Sequence, residues 1–519
     1  MVPSLLDMPV PAQFNQADFL VDRHLRDGRG GQTAFHFRDQ TITYAELAQE
    51  CNRAGNALRS LGVGREQRVA IVLPDRPELA YTYLGAMKIG AIPVPLNALQ
   101  TAEELAYCFA GADARVVVAD EQHAAKVFEA HPNGQVIVVA DAATSLGGAL
   151  DYRALVATQS SVLEPAETAP EDMAFWMYSS GTTGRPKAVV HRHRDILFYQ
   201  PPFAEAALGV TEGDVLFATS KAFFSYGRNA TIEMPLLYGA SAVLFPDRPS
   251  PEPVLEAIAR HRPTIFFSVP TFYLALMEHA QAAGREQDLS SLRLTVSSGE
   301  ALPRLLFDRW RAMFSLEIVE TLGSTDAGAQ YLSNVPGAVK PGSAGTLLPT
   351  FESRLLDVDG APVADGDVGT LHLKSRGAAP LYWNQPEQSA ETFLGEWLNT
   401  GDLFHRDEDG YYWFVGRSND MFKVRGMWVA PVEVENELLG HPSVLECAIV
   451  DAPDARGLMQ AKAIVVTREG QEPSDALAAE LRNHLAGRVA PFKVPAIWAF
   501  ADALPRTATG KVQRFALRD

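Results

Sequence analysis

Between Thr43 and Val296 the chain repeats one pattern that leaves few folds open: a short, wholly apolar run, a helix-length stretch, then another apolar run. An apolar run without alternation is a strand covered on both faces, and strands separated by helices form parallel sheets. Thr43-Tyr-Ala-Glu46 has the spacing of a capping box, and Leu47, Cys51, Ala54, Leu58 and Leu61 follow at helical intervals. Arg68–Pro74, Ile92–Pro95 and Ala114–Ala119 then read as strands, with a helix over Pro77–Lys88. Val215–Ala218, Ala242–Phe245, Thr264–Phe267 and Leu292–Val296 continue the series. The fold class is therefore α/β, with layered sheets and functional residues expected at the carboxyl ends of strands.

At 519 residues the chain exceeds what one compact core holds. From about Gly342 to Gly416 the texture changes to short strands and Gly/Asp turns, such as Arg354–Asp357 and Gly369–Lys374, which predicts a β subdomain. A polar stretch, Gly416–Gly426, precedes a fresh α+β unit with helices over Pro431–Leu439 and Asp475–Leu485 and strands near Ala448 and Ala463. The expected organisation is a large N-terminal domain over 1–418, including the β subdomain, and a small C-terminal domain over 419–519.

One apolar run, Ala174–Tyr178, leads into Tyr178-Ser-Ser-Gly-Thr-Thr-Gly-Arg-Pro-Lys187. Gly181 and Gly184 allow positive φ and let backbone N–H groups converge. Ser179, Ser180, Thr182 and Thr183 add hydroxyls and Lys187 a positive charge, a density of phosphate-suited groups beyond that of an ordinary surface turn. The spacing differs from the common nucleotide loop, because Arg185-Pro186 separates Gly184 from Lys187 and Ala188 follows it. That weakens a phosphate-loop hydrolase reading.

Other segments carry chemical groups. Leu322-Gly-Ser-Thr-Asp326 follows the strand expected at Leu316–Val319, where Asp326 could hold magnesium or simply cap a helix. Thr400-Gly-Asp402 places a carboxylate at a tight turn, suited to a ribose diol but also to any such turn. Lys221–Gly227 packs aromatics beside a glycine, as core or as the wall of a planar pocket. Pro505–Lys511 ends in a lysine that a separate domain could deliver to a phosphate on closing.

A net charge of −18 argues against nucleic-acid and anionic-membrane partners, so an anionic substrate needs a local positive site. Cys51, Cys108 and Cys447 lie far apart without metal spacing, which fits inert thiols in a reducing compartment. The first residues lack a basic start followed by an apolar run, and a cytoplasmic location is expected.

In this order, these segments resemble the adenylate-forming superfamily of acyl-CoA synthetases, adenylation domains and luciferases. The resemblance runs from about residue 30 to the end and rests on YSSGTTGRPK, GSTD at 323–326, TGD at 400–402, GRSNDMFKVRG at 416–426 and PRTATGK at 505–511. KAFFSYG at 221–227, GSTDAGAQYLSN and the ending TATGKVQRFALR resemble the benzoate-CoA ligase branch. That resemblance implies an aromatic acid, ATP, Mg2+ and coenzyme A. It implies that a carboxylate is first adenylated and then passed to the thiol of coenzyme A. Thr182, Thr183, Gly184 and Lys187 would cradle the β- and γ-phosphates, with Ser179, Ser180 and Gly181 also binding the nucleotide. Thr325 would contact the α-phosphate, with Gly323 and Ser324 also binding the nucleotide, Asp326 on the metal and Asp402 and Arg417 on the ribose. Lys511 would bridge carboxylate and α-phosphate. Rotation of a mobile C-terminal domain about a hinge at Asn419 would then withdraw Lys511 and bring Lys423 and Gly426 to the pantetheine channel.

The chain departs from the family pattern at Asp326, where Glu is usual, at the hinge residue Asn419, usually Asp or Lys, and at Ala188, commonly Gly. The acyl pocket would comprise Phe224, Ser225, Tyr226, Gly227, Ala329 and Gln330. The last two stand where the branch usually has His and Ile, which favours a ring bearing an amino or hydroxyl group, such as 2-aminobenzoate, over unsubstituted benzoate. Arg228 would read a second carboxylate, a coenzyme A phosphate or the surface. A stand-alone adenylation protein loading a carrier protein is the alternative, and a monomer or homodimer is expected.

Overall fold

The computed structural model describes residues 4–141, 148–179, 185–284, 287–418, 420–424, 427–454, 458–506 and 512–518, with Trp428 and Phe515 described by backbone alone. They form two compact units, Met1–Glu352 with Lys374–Leu398, and Ser353–Leu373 with Asn399–Asp519.

In the first unit, a five-stranded parallel sheet runs in the order Ile92–Pro95, Arg68–Val72, Val116–Asp120, Gln135–Val139, Leu150–Asp151. Ala70, Val72, Val117, Ala119, Val136 and Val138 share one buried cluster with Trp176, which is why these strands read as continuous apolar runs. The capping box forms as expected: Glu46 N donates to Thr43 Oγ1 at 3.2 Å and Thr43 N to the Glu46 carboxylate at 2.8 Å, opening the helix Tyr44–Ser60. Helix Pro77–Lys88 also forms where the sequence placed it.

The apolar run before the glycine-rich segment is strand β1 (Met173–Ser179). It pairs antiparallel with β2 (Lys187–Arg192), in register from Phe175 with His191 to Ser179 with Lys187, with one irregularity between Met173 and Phe175. Lys187 therefore starts a strand instead of lying in a loop, because Ala188-Val-Val-His191 is itself apolar and β-branched. Residues 180–184, expected to cradle phosphate, lie outside the described residues.

A nine-stranded sheet supplies β3 (Val215–Ala218), β4 (Ile265–Ser268), β5 (Leu294–Ser297), β6 (Ile318–Gly323) and β7 (Gln330–Ser333). Strands β3, β4, β5 and β6 lie side by side and parallel, so their carboxyl ends share one edge, and β7 returns antiparallel to β6. The segment after β3 lies across this edge: Tyr226 Oη donates to the Val296 carbonyl at 3.0 Å.

In the second unit a sheet contains Glu352–Leu356, Gly369–Lys374, β8 (Trp397–Arg406) and β9 (Tyr412–Arg417), β8 and β9 pairing antiparallel. The later part is α1 (Pro431–Leu439), β10 (Val444–Pro453), β11 (Met459–Thr467), α2 (Asp475–Leu485) and β12 (Ile497–Phe500), with β11 central. Val434, Leu438, Ile449, Val465, Leu481 and Leu485 fill its core. The segment expected to carry the tail lysine closes at its base, where Arg506 and Val512 form a bridge and Gln513 N donates to the Pro505 carbonyl at 2.8 Å.

Candidate active site

The turn after β6 is built to hold side chains still. Gly323 pairs with Gln330, and a Cβ on Gly323 would stand 2.6 Å from the Ala329 carbonyl, so only glycine allows this approach. Ala327 N donates to Ser324 Oγ at 3.1 Å and Gly328 N to the Thr325 carbonyl at 3.1 Å, closing the turn on itself. Gly328 has φ +87°, and a Cβ there would lie 2.4 Å from the Tyr199 ring. Ala379 N holds the Asp326 carbonyl at 2.8 Å. The turn thus presents the Thr325 hydroxyl and the Asp326 carboxylate at the strand edge.

Two expected groups meet at Thr325. Ser225 Oγ, assigned to the acyl pocket, donates to Thr325 Oγ1 at 3.0 Å, which joins the pocket wall to the residue expected on the α-phosphate. Lys187 Nζ lies 3.9 Å from Asp326 Oδ1, packs over the Tyr382 ring at 3.8 Å and hydrogen-bonds the Tyr382 hydroxyl. Lysine, carboxylate and threonine are consequently neighbours, although 138 positions separate Lys187 from Thr325 in sequence. Ser179 Oγ is buried and accepts or donates no hydrogen bond among the described residues.

Asp326 Oδ1 is likewise buried and, among the described residues, accepts no hydrogen bond, with Lys187 Nζ at 3.9 Å as its ion-pair partner. Among the described residues no cluster of three His, Cys, Asp or Glu forms a metal cage. Magnesium bound with nucleotide takes one or two carboxylates plus phosphate oxygens and keeps several waters. A single unsatisfied carboxylate oxygen next to a phosphate-suited strand end fits that mode.

In the pocket segment, Phe224 N donates to the Lys221 carbonyl at 2.9 Å, and a Cβ on Gly227 would come within 2.2 Å of that carbonyl oxygen. The glycine is thus a packing requirement. Phe223 and Phe224 form an edge-on pair at 4.6 Å, so the aromatics divide: Phe223 is buried, whereas Phe224, Ser225 and Tyr226 remain partly accessible. Ala329 and Gln330 are buried, and Gln330 Oε1 has no hydrogen-bond partner among the described residues. Arg228 corrects the sequence reading. It is 1% exposed, ion-paired with Glu233 at 3.4 Å and stacked on Phe175 at 4.0 Å, so it is an interior residue and not a surface contact.

Sequence reading missed His191, whose Nε2 bonds the Thr325 carbonyl at 2.8 Å. The alternation Lys187-x-Val189-x-His191 within an apolar run was the available signal, since it puts the three on one strand face.

In the second unit, Asp402 and Arg417 face each other across β8 and β9, with Arg417 Nε 2.8 Å from Asp402 Oδ1. Gly401 takes φ +69°, and Asp402 N donates to Thr400 Oγ1 at 3.1 Å, which fixes the turn. Lys423 is exposed on a short ribbon of Phe422–Val424 with Met427–Val429. Asn419, Gly426 and Lys511 lie outside the described residues. Arg514, also missed, is anchored in the tail by bonds from Nη1 and Nη2 to the Glu435 carboxylate, the Nη2 bond at 2.9 Å.

AMP-binding enzymes match residues 22–383, and the C-terminal domain of AMP-binding enzymes matches residues 433–511. The chain belongs to this family. A benzoate–CoA ligase of Thauera aromatica is 40% identical over 514 residues, covering 98% of this chain and 96% of the relative. A 4-hydroxybenzoate–CoA/benzoate–CoA ligase of Rhodopseudomonas palustris is 38% identical over 515 residues, covering 98% and 94%. The solved structure of an anthranilate CoA ligase in complex with anthranoyl-AMP is 37% identical, with a TM-score of 0.90 over 98% of this chain and 97% of that one. Within the AMP-binding enzymes the chain lies in the benzoate-CoA-ligase-like branch.

For an AMP-binding enzyme the departure at Ala188 has a simple physical basis. Its side chain is buried in the same cluster as Trp176 and Val190, and its carbonyl accepts from Trp383 N at 2.9 Å, so a methyl group fills space that glycine would leave. Among the described residues of this AMP-binding enzyme, no helix is long and apolar enough to cross a membrane.

Proposed function

We propose that this chain is an ATP-dependent, AMP-forming aryl-CoA ligase acting on benzoate or on an amino- or hydroxy-substituted benzoate such as 2-aminobenzoate. The observation that carries the reading is the Ser225–Thr325 hydrogen bond, which puts a pocket-wall hydroxyl against the α-phosphate contact. A carboxylate entering beside Ser225 is thereby delivered to the phosphorus it must attack. In the first half-reaction a carboxylate oxygen forms a bond to the α-phosphorus and the bond to the β-phosphate oxygen breaks, releasing pyrophosphate. Charge builds on the phosphoryl oxygens, so donors fixed beforehand are worth most. Thr325 serves there, with Lys187 and the residues 179–184 on the leaving group.

Magnesium, when bound, neutralises phosphate charge, and Asp326 would hold it. Asp326→Asn is expected to lower kcat/KM for ATP by about 100-fold, whereas Asp326→Glu, which restores the family's usual residue, stays within about tenfold of wild type. Steady-state pyrophosphate release at varied ATP checks this.

In the second half-reaction the coenzyme A sulfur attacks the acyl carbonyl, AMP leaves, and the thiol proton is lost to solvent. Gln330 Oε1, a buried acceptor without a hydrogen-bond partner among the described residues, supports a ring substituent that donates a hydrogen bond. Pyrophosphate release is to be measured over a panel of aromatic and aliphatic acids, with and without coenzyme A. Release with 2-aminobenzoate or a hydroxybenzoate, followed by thioester, is expected. Absence of release with every acid overturns the reading, and release without thioester transfers it to a carrier-protein acceptor.

A further inference from the structure

His191 is a fully buried imidazole to which the proposed chemistry gives no part. Strand β2 alternates, so Ala188 and Val190 enter the cluster around Trp176 while Val189 packs on Ala379 and Tyr382. His191 shares the second face. Its ring stacks on Phe175 at 5.0 Å with 22° between planes, and meets Tyr199 edge-on at 5.9 Å. Asp195 Oδ2 stands 3.6 Å from Nδ1, and Asp195 is itself fixed by Arg192 N at 2.8 Å and Arg192 Nε at 3.0 Å. The ring therefore has little freedom to turn. A carbonyl only accepts, so Nε2 carries the proton of the 2.8 Å bond to Thr325 O.

We propose that His191 is a positioning residue that sets where the Thr325 hydroxyl stands. It holds the Thr325 main chain from below while Gly328 N closes the turn and Ser225 Oγ fixes the side chain. One strand then reaches both consecutive residues of the turn, Asp326 through Lys187 and Thr325 through His191. The strand next to the pyrophosphate grip thus also aligns the contact on the phosphorus under attack. The inference rests on the proposed adenylation chemistry.

The test compares His191→Gln, His191→Met and His191→Asn in the full-length protein by acid-dependent pyrophosphate exchange, with thermal unfolding as a control. Glutamine places an amide N–H near the Nε2 position. Methionine has the same length without a donor, and asparagine has the donor out of reach. The Gln variant is expected to keep kcat within about threefold of wild type, while Met and Asn lose about 100-fold in kcat with KM for the aromatic acid changed less than about threefold. A Met variant as active as Gln, or a Gln variant as impaired as Met, overturns the proposal; so does a loss confined to KM. If the Asn variant fails to fold, the Gln and Met pair decides. Wild-type protein without any acid-dependent exchange would instead overturn the adenylation reading itself.

Discussion

At the scale of single residues, burial separates groups that do chemistry from groups that hold them. Glu320, on β6 just before the turn, accepts from Leu302 N at 2.9 Å, and its other oxygen is buried without a hydrogen-bond partner among the described residues. Burial pushes its carboxyl up to about 8, opposed by the Leu302 N–H. In the unfolded chain the same group titrates near 4.5, so between about 4.5 and about 8 the folded protein binds the extra proton. Stability contributed by this group is therefore present below 4.5 and is lost as pH rises toward 8. Thermal unfolding from pH 5 to pH 8.5 is expected to show a falling Tm that Glu320→Gln flattens; an unchanged slope in the variant would rule the assignment out. His193 behaves oppositely, burial pulling it down to about 4, so it stays neutral and serves packing. The burial of Glu320 was not legible in the sequence, where the expected strand ends at Val319 and only the fold reveals what covers the next residue.

At the scale of elements, the sequence was most informative where one physical cause acts alone. The helices Pro77–Lys88, Pro431–Leu439 and Asp475–Leu485 and the strand Val215–Ala218 fall on the expected residues, because apolar periodicity and a proline or capping residue mark their bounds. Strand β2 was missed because Gly-Arg-Pro immediately before it reads as a loop that continues through Lys187. The positions of Thr325, Asp326 and Ser225 were legible as motifs, but their meeting was not, since hydrogen bonds across a hundred residues depend on strand order. Gly328 shows how tightly the elements are fitted. At φ +87° with a Cβ 2.4 Å from Tyr199, Gly328→Ala is expected to cost more than about 2 kcal/mol through strain and overpacking. Urea unfolding measures it, and a loss under about 0.5 kcal/mol would show that the turn yields.

At the scale of the whole molecule, the chemistry proposed for it asks for a C-terminal domain over 419–519 that turns about Asn419, whereas the second compact unit also takes in Ser353–Leu373 and the chain from Asn399. A lysine that bridges carboxylate and α-phosphate must leave before a thiol can enter, which a separate domain achieves by turning. Lys511→Ala is expected to lower adenylate formation by about 1000-fold and to leave thioester formation from synthetic acyl adenylate within about fivefold of wild type. Stopped-flow measurement of the two half-reactions checks this, and equal loss in both would sink the rotation account. The organisation into α/β sheets and a later α+β part was legible in the alternation of runs, whereas the grouping of Ser353–Leu373 with Asn399–Asp519 was not, because it depends on contacts between distant strands. The bridge between Arg506 and Val512 has a consequence for how such an enzyme changes over generations. Chain enters and leaves the lysine segment at a single doorway, so a change of length inside it need not disturb the core that Val512 packs against, whereas the lysine itself is not free to change.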